Sequence, residues 1–370
     1  VLEAGDYAIS INSDSHNAID SKTYTVGSTV TYTDGRASDE TPAVSQFGYA
    51  QGDVTYLSRA DGFANYSDAV AAPASFEMAD DVKAGFYNHT NYDPTQFNDS
   101  NDEAPTTGAK NSLTIADLRG KDYDDPQWEQ LLDQLTVDDM VQLIGIGGYQ
   151  SVAIASVGKT QQVDCDGPAS INNNFTGKAS IGFPAGVVIA ATWNTDLAHD
   201  FGASIGKMAD EMDVSGWYAP AMNIHRTSFS GRNFEYYSED GYLSGAMAST
   251  AINGAAESGV YSFMKHFALN DQETHRTDML CTWSNEQAIR EIYLKPFEMC
   301  VKNYEGKSMA VMSSFNYIGN KYAGANPELL NAVLRDEWGF RGMVLTDYFG
   351  GYGYQDADIQ VRNGNDFCLT

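Results

Sequence analysis

Polar and charged side chains follow several short apolar runs of this 370-residue sequence, at the points where the runs end. Five ends share this pattern: Asp164 with Asp166, residues 223–226, Lys265 with His266, residues 312–316, and Asp347. A single aspartate after a strand, such as Asp347 after "GMVLT", is commonly a helix or turn cap. Five such ends together indicate one site, because the parallel strands of a barrel end on the same rim.

The residue types at these ends suit a neutral ligand rich in hydroxyl groups. Charged side chains hold hydroxyls in forked hydrogen bonds, and aromatic rings cover the apolar face of a sugar. A carboxylate beneath such a sugar can attack its anomeric carbon. The cluster "LIGIGG" at 143–148 is a lone glycine run after a helix-like segment, which disfavours a nucleotide site. The pattern therefore favours chemistry on a glycoside.

The sequence gives no sign of a metal or a cofactor. Cys165, Cys281, Cys300 and Cys368 are scattered, with no CxxC pair and no histidine at metal-ligand spacing. The acidic stretch at 98–103 lacks the spacing of an EF-hand loop. We expect buried free thiols, no metal and no cofactor.

The charge balance restricts the partners. Lysine and arginine number 22 against 50 aspartate and glutamate residues, a formal net charge of -28, which repels nucleic acid and anionic lipid headgroups. No apolar run approaches the roughly 18 residues that span a bilayer. We expect neither nucleic acid nor membrane as a partner, and a cytoplasmic location, with secretion left open.

Strands alternate with amphipathic helices from about Ser112 onward. Between Thr195 and Met212, for example, apolar residues recur at three- and four-residue steps. Counting "QQVD" and "AGVVIA", seven segments read as parallel strands with helices between them. This α/β pattern predicts a (β/α)8 barrel over residues 112–370, truncated after its last strand, with a doubly wound open sheet as the alternative.

Two regions precede the predicted barrel. Residues 1–33 contain β-rich runs that read as two or three strands. So few strands bury too little to be stable alone, which predicts the C-terminal strands of a β-sandwich domain whose other strands lie upstream of Val1. Residues 34–111 lack a period and are interpreted as a linker with aromatic and acidic loops.

Four sequence blocks resemble the signature blocks of the glycoside hydrolase family 3 β-glucosidases. They are "DGP" at 166–168, "NIHRTSFSGRNFEYYSED", "KHFALNDQETHR" and "GFRGMVLTDYFGG", in the order of the family. The resemblance covers about residues 112–370. The leading region resembles a fibronectin type III-like sandwich, as in family members in which this domain precedes the barrel. The segment after the Lys-His pair differs from that of the N-acetylglucosaminide-cleaving branch, which disfavours an amino sugar.

The resemblance implies a retaining β-glucosidase that forms a covalent glycosyl-aspartate intermediate. It implies that Asp347 is the nucleophile and Tyr348 the aromatic residue beside it. The sugar-binding residues that it implies are Asp166, Arg232, Lys265, His266 and Tyr348, with Met312 and Phe315 in the pocket wall. A β-xylosidase of the same family, or a sugar-binding relative without catalysis, remains the alternative, since glucoside and xyloside differ by one hydroxymethyl group.

A retaining glycosidase also needs a carboxylic acid about 5 to 5.5 Å from its nucleophile. In the family this acid comes from a separate α/β-sandwich domain, for which the chain has no room. We therefore expect the acid outside this chain, in the remainder of the same enzyme, which is then its partner. Glu235 and Glu239 lie nearest by block position but in a helix-opening segment. A homo-oligomer is possible on this reading.

Two local expectations follow from spacing. Glu273 and Arg276, three residues apart, predict a structural salt bridge. Adjacent residues of a regular strand point to opposite faces, so Lys265 and His266 reach one sugar only if the strand ends, bulges or contains a cis peptide bond there.

Overall fold

The computed structural model describes residues 2–14, 16–32, 44–52, 54–57, 59–90, 92–303, 309–350 and 352–370. The chain forms two compact units, Val1–Ser45 with Gly52–Ala79, and Gln46–Gln51 with Asp80–Thr370. The domain boundaries after residues 33 and 111 stay predictions. Residues 33–43, most of them in the predicted linker, lie outside the described part.

The first unit contains an antiparallel hairpin of β1 (Gly5–Asn12) and β2 (Ala18–Val26). In its turn, the Asp14 carboxylate accepts hydrogen bonds from the backbone N–H groups of His16 and Asn17 at 2.9 and 3.0 Å. A short helix, α1 (Tyr66–Ala69), belongs to the same unit. The predicted β-sandwich remains a prediction.

Twelve further strands lie in the described part of the second unit. They are β3 (Gln150–Ser151), β4 (Gln162–Cys165), β5 (Asn172–Asn173), β6 (Lys178–Ala179), β7 (Gly216–Trp217), β8 (Tyr261–Phe267), β9 (Cys281–Thr282), β10 (Met309–Ser313), β11 (Tyr317–Ile318), β12 (Lys321–Tyr322), β13 (Met343–Tyr348) and β14 (Phe367–Leu369). Seven of them form one sheet in the order β14-β13-β10-β8-β7-β4-β3. Neighbours pair in parallel except β3 and β4, and the sheet curls as a half-barrel. The α/β class is therefore confirmed.

Helices connect these strands. They are α2 (Asp80–Ala84), α3 (Gln127–Leu132), α4 (Val137–Gly145), α5 (Gly186–Ala190), α6 (Thr195–Glu211), α7 (Gly241–Ala256), α8 (Glu286–Ala288), α9 (Lys295–Asn303) and α10 (Ala357–Arg362). Two π-helical segments, Ile289–Tyr293 and Glu328–Glu337, and 3-10 turns at Gly48–Ala50, Pro94–Phe97, Ile115–Leu118, Ala155–Val157 and Ala323–Ala325 complete the described elements.

The segment "AGVVIA" is a helix and not a strand, so its strand prediction was wrong. It forms α5, whose Ile189 and Ala190 pack into the core between helices and sheet. A short apolar run with β-branched residues fits either a buried strand or a buried helix turn, and periodicity cannot separate the two.

Helices α6 and α7 pack closely because glycine and alanine face each other. Asn194 caps α6 by accepting from the Leu197 N–H at 3.1 Å, and Asp240 caps α7 by accepting from the Leu243 N–H at 2.8 Å. A Cβ on Gly202 would lie 1.9 Å from the carbonyl oxygen of Ala251, so only glycine permits this approach. The helix pair fixes the outer side of β7 and β8, which carry part of the site.

The inner face of the sheet carries a second apolar cluster. Tyr218, Phe263, Met312 and Leu345 are buried there, each at most 3% exposed. Because this cluster fills the space enclosed by the curled sheet, polar side chains gather at the carboxyl rim of the strands.

Candidate active site

Asp347 lies near the carboxyl end of β13, where the apolar strand leaves the core, and is 9% exposed. One carboxylate oxygen accepts from the backbone N–H of Tyr348 at 2.7 Å. The other contacts Nη2 of Arg276 and lies 3.6 Å from Nε2 of His266. The carboxylate is thus held in one orientation at the rim of the sheet.

Lys265 and Asp166 form an ion pair at the same rim. Nζ of Lys265, which is buried, donates to Oδ1 of Asp166 at 2.8 Å, and the Gly167 N–H donates to the same oxygen at 2.8 Å. Burial opposes ionisation of Asp166, but the charge of Lys265 and its hydrogen bond outweigh it and lower the pKa of Asp166 from 3.8. Asp166 therefore stays ionised at neutral pH.

His266 is buried, and its backbone is fixed by Asn223. The His266 N–H donates to Oδ1 of Asn223, and Nδ2 of Asn223 donates to the His266 carbonyl, both at 2.9 Å. A cis peptide bond joins Lys265 to His266, and the pairing of β8 with β10 shifts register at this point. The expected departure from regular strand geometry is confirmed.

The His266 ring is neutral. Burial, reinforced by the charges of Arg232, Arg276 and Lys265, holds the pKa of His266 well below 6.5. Nη2 of Arg232 lies 3.2 Å from Nε2 of His266, and because a guanidinium only donates, Nε2 is the acceptor. The ring proton is then on Nδ1, which lies 3.1 Å from the Tyr236 hydroxyl.

Arg232 connects His266 to two glutamates. Its Nε contacts Oε1 of Glu235, and its Nη1 lies 3.9 Å from Oε1 of Glu273. Burial opposes the charge of Arg232, but Tyr236, Glu235 and Glu273 outweigh it and raise its pKa above the ordinary value. The guanidinium is a permanent cation beside the site.

Arg276 contacts the proposed nucleophile, although the sequence predicted only a structural salt bridge for it. The predicted salt bridge is present, with Nε of Arg276 3.6 Å from Oε1 of Glu273. Nη2, however, contacts Asp347 directly, and Nε donates to Oδ1 of Asn270 at 2.9 Å. The available signal was the position of Arg276 in the segment directly after the Lys265-His266 strand.

Aromatic residues after β10 and β13 form what we call the aromatic wall. It consists of Phe315, Tyr317, Tyr322, Tyr352 and Tyr354. The ring of Phe315 lies 4.5 Å from Cζ of Arg276, and its centroid lies 5.3 Å from that of Tyr352. Phe315 therefore belongs to the surroundings of Asp347, and its role in the pocket wall stays a prediction.

Tyr348 and Met312, which the resemblance also assigns to the site, differ in their exposure. Tyr348 is 51% exposed directly after the carboxylate, where a ring is accessible to a ligand. Met312 is buried in the inner cluster beneath the rim, against Phe263 and Leu345 among others. Its contacts are those of a core residue, and a role in the pocket wall stays a prediction.

The described residues contain no group of three or more His, Cys, Asp or Glu side chains arranged to hold a metal ion. Across the same residues, no helix combines the length and apolar character needed to cross a membrane. The four cysteines are free thiols.

A curled parallel sheet with charged groups and aromatic rings around a carboxylate at its carboxyl rim is typical of barrel proteins that bind neutral sugars. Residues 171–362, about half of the chain, match the glycosyl hydrolase family 3 N terminal domain. The chain belongs to glycosyl hydrolase family 3. The N-terminal domain of this family is a TIM-like barrel, so the predicted barrel agrees with the family fold.

Known relatives agree with this membership. Beta-glucosidase A of Butyrivibrio fibrisolvens is 36% identical over 251 residues, which cover 65% of this chain and 29% of the relative. A beta-glucosidase of Rhizobium radiobacter is 40% identical over 228 residues, covering 60% of this chain and 28% of the relative. The chain thus spans less than a third of the length of these curated relatives.

Solved structures show the same similarity. Beta-glucosidase 3B of Thermotoga neapolitana, in complex with alpha-D-glucose, superposes with a TM-score of 0.60 at 36% identity, covering 66% of this chain and 36% of that one. A beta-glucosidase of Paenibacillus barengoltzii superposes with a TM-score of 0.65 at 30% identity, covering 73% of this chain and 31% of that one.

Proposed function

We propose that the complete protein is a retaining β-glucosidase and that Asp347 is its nucleophile. The observation that carries the proposal is the placement of Asp347. Its carboxylate lies at the carboxyl rim of the sheet, oriented by Tyr348 N–H and Arg276, within 3.6 Å of His266. The relatives named above are beta-glucosidases, and the complexes with glucose in that group support a glucoside as the ligand.

In the first step an oxygen of Asp347 bonds to the anomeric carbon while the bond from that carbon to the leaving oxygen breaks. A general acid gives its proton to the leaving oxygen. Water then attacks the glycosyl ester, giving up a proton to the same acid/base group, and releases glucose and the Asp347 carboxylate. Asp166, Lys265, His266 and Arg232 hold the hydroxyls of the sugar, with Tyr348 against its apolar face.

We place the general acid in the remainder of the enzyme, in an α/β-sandwich domain. A general acid must be protonated at the working pH. Asp166 stays ionised beside Lys265, and Glu235 contacts the Arg232 cation. Burial raises the pKa of Glu273 and Asp347 adds to this, although Arg276 and Arg232 oppose it, and its carboxylate lies 3.6 and 3.9 Å from their guanidinium nitrogens. Asp166 and Glu235 are thus suited to hold cations rather than to deliver a proton, and Glu273 is paired with two guanidiniums.

The test is the substitution Asp347→Asn in the complete protein, assayed on an aryl β-glucoside. It removes the attacking oxygen and little packing, so we expect kcat to fall roughly 10,000-fold or more with an unchanged unfolding midpoint. The matched control is Asp200→Asn, on the exposed side of α6, which we expect to retain wild-type turnover. Wild-type turnover by Asp347→Asn would contradict the assignment.

A panel of aryl glycosides distinguishes the substrate classes. We expect the β-glucoside to have the highest kcat/KM in the panel. A preference for the β-xyloside would identify the sugar differently while keeping the mechanism. Glucose binding without turnover of any aryl glycoside by the wild-type complete protein would identify a sugar-binding relative instead.

A further inference from the structure

A cleft of about 660 Å³ is lined by α5, by the start of α6 and by the first two turns of α7. We call it the Trp193 cleft. Its volume lies within the roughly 300–1,000 Å³ that is typical of small-molecule sites. The charged groups around Asp347 are not among its lining residues, so it is a separate cavity. The lining residues that matter below are Trp193, Thr195, His225, Ser238, Glu239 and Tyr242.

Two exposed aromatic rings lie at this cleft. Trp193 is 79% exposed and Tyr242 is 68% exposed, above a buried floor that includes Tyr237 and Met247. Trp193 also has a φ of 55°, a left-handed conformation that a bulky residue rarely adopts. Its N–H donates to the carbonyl of Ala190 at 3.0 Å, and glycine would fit this turn without strain. Neither burial nor the turn therefore accounts for a tryptophan at this position.

Polar groups of the cleft are left available by the local structure. Asn194 caps α6, so the hydroxyl of Thr195 is not needed as a cap. Nε2 of His225 donates to the Tyr236 carbonyl at 3.0 Å, which leaves its Nδ1 without a partner among the described residues. The Glu239 side chain is exposed. Together these groups offer acceptors beside the two rings, as a ligand that donates hydrogen bonds requires.

The charge of the cleft restricts the ligand further. No lysine or arginine lines it, and the acidic residues Glu239 and Asp240 do, so an anion is repelled. Oδ1 of Asp240 is occupied as the cap of α7, where it accepts from the Leu243 N–H at 2.8 Å. An isolated cation needs more than one free carboxylate around it when it leaves water. A neutral ligand with many hydroxyl groups fits best, because hydroxyls donate to the acceptors and rings cover the apolar face of a sugar.

The segment 225–240 separates the cleft from the candidate active site. The N–H of His225 donates to the carbonyl of Ser238 at 3.1 Å, which joins the two ends of the segment. The Tyr236 hydroxyl lies 3.1 Å from Nδ1 of His266, whereas the next residue, Tyr237, lines the cleft. A ligand in the cleft is thus on the far side of this segment from the groups that surround Asp347.

We infer that the Trp193 cleft is a second saccharide site, which binds a neutral oligosaccharide against the rings of Trp193 and Tyr242. Thr195, His225 and Glu239 hold hydroxyl groups of this ligand. The site goes beyond the proposed function and does not depend on Asp347 being a nucleophile. Only the choice of a glucose-containing probe rests on the proposed function.

The test is a fluorescence titration of the complete protein with thiocellobiose, a cellobiose analogue whose glycosidic sulfur resists hydrolysis. We expect tryptophan emission to shift to shorter wavelength, because the exposed Trp193 ring leaves water, and Trp193→Phe to lose this shift. Tyr242→Ala keeps the reporter and removes the second ring. We expect it to weaken thiocellobiose binding roughly tenfold, with wild-type turnover of an aryl β-glucoside and an unchanged unfolding midpoint.

Two control variants separate this cleft from other sites. Phe76→Ala removes an exposed ring of the first unit and should bind thiocellobiose as wild type does. Lys265→Met should lose turnover but keep the emission shift. A wild-type protein without the shift, a shift that survives Trp193→Phe, unweakened binding in Tyr242→Ala or a shift lost in Lys265→Met would each overturn the saccharide site. A shift with tetramethylammonium but none with thiocellobiose would identify a cation site instead.

The two proposals fail independently in this experiment. Turnover of the aryl β-glucoside without a Trp193 shift would overturn the cleft alone. A Trp193 shift in a wild-type protein that hydrolyses no aryl glycoside would overturn the proposed function alone.

Discussion

The charged groups beside β8 and the aromatic wall after β10 and β13 surround the same carboxylate in different ways. Lys265 is paired with Asp166, and Arg232 with Glu235, so that each of these two cations has an anionic partner. The aromatic wall is held by ring contacts and contains the unpaired Tyr354 hydroxyl. Buried charges must be paired to be tolerated, whereas rings pack without partners.

This difference indicates separate tasks. A rigid, fully paired charged region suits the hydroxyls of one fixed sugar, because its groups are oriented before the ligand arrives. Tyr352, the exposed ring of the aromatic wall, suits leaving groups of several kinds, because a ring face imposes little direction. Substitutions on the charged side should therefore affect all glucosides alike, and substitutions in the wall only some of them.

Among the substitutions that compare the two sides, the largest effect is expected for Lys265→Met. The variant loses a charge-assisted hydrogen bond donor and leaves Asp166 without its cation, so kcat/KM should fall roughly 100-fold on both cellobiose and an aryl glucoside. Lys207→Met, on the exposed side of α6, is the matched control and should behave as wild type. A loss confined to cellobiose would break the division between the two sides.

The next largest effect is expected for Arg276→Lys, because the Arg276 side chain contacts both the charged groups and the aromatic wall. Lysine keeps the positive charge but loses the simultaneous contacts to Asp347 and Asn270 and the flat packing on Phe315. We expect kcat/KM to fall roughly 20-fold on both substrates. The control Arg341→Lys, a guanidinium that lies over Tyr123, should leave the kinetics unchanged. An Arg276→Lys variant with wild-type kinetics would restrict Arg276 to the predicted salt bridge.

The neutral state of His266 predicts a pH dependence of stability. Its pKa in the folded protein is lowered, so below about 6.5 the unfolded chain takes up a proton that the folded protein does not bind. The contribution is therefore full above pH 6.5 and is lost as pH falls toward the folded pKa, by about 1 kcal/mol between pH 6.5 and 5.5.

Denaturant unfolding of wild type and His266→Gln at several pH values measures this contribution. The variant should lose less unfolding free energy on acidification than wild type does. His16→Gln, an exposed histidine of the β1–β2 hairpin, should follow the wild-type slope. Parallel slopes for wild type and His266→Gln would show that the ring of His266 binds its proton equally in both states.

The smallest effect is expected for His89→Ala, which weakens the aromatic wall from behind. Nδ1 of His89 contacts Asp356 at the start of α10, and its Nε2 lies 3.4 Å from the Tyr317 hydroxyl. The substitution should lower kcat/KM roughly threefold on cellobiose and leave an aryl glucoside unchanged. His16→Ala is the matched control. An equal loss on both substrates would mean that His89 supports Asp347 rather than the wall.

Sequence reasoning found the groups that a local pattern marks. Asp347, Lys265 and His266 each end an apolar run, and the strand period predicted the irregular backbone between Lys265 and His266 once the family resemblance assigned both side chains to one sugar. Contacts that depend on the tertiary fold could not be found in this way. The side chains of Arg276 and Asp347 meet across 71 residues of sequence, and those of His89 and Asp356 across 267.

Short sequence patterns that fit more than one local structure account for the wrong prediction of a secondary-structure element. Asn194 caps α6, although the next residue, Thr195, is also of a type that caps helices well. The run "AGVVIA" is too short for its period to distinguish strand from helix, and its packing under α6 and α7 decides for the helix.

Covalent labelling tests the central claim most directly. The complete protein is treated with 2-deoxy-2-fluoro-β-glucosyl fluoride, whose fluorine slows release of the glycosyl-enzyme, and the labelled peptide is identified by mass spectrometry after proteolysis. We expect one modified residue, Asp347, with loss of activity proportional to labelling. Labelling of any other carboxylate, such as Glu273 or Asp166, or full inactivation with Asp347 unmodified, would contradict the account.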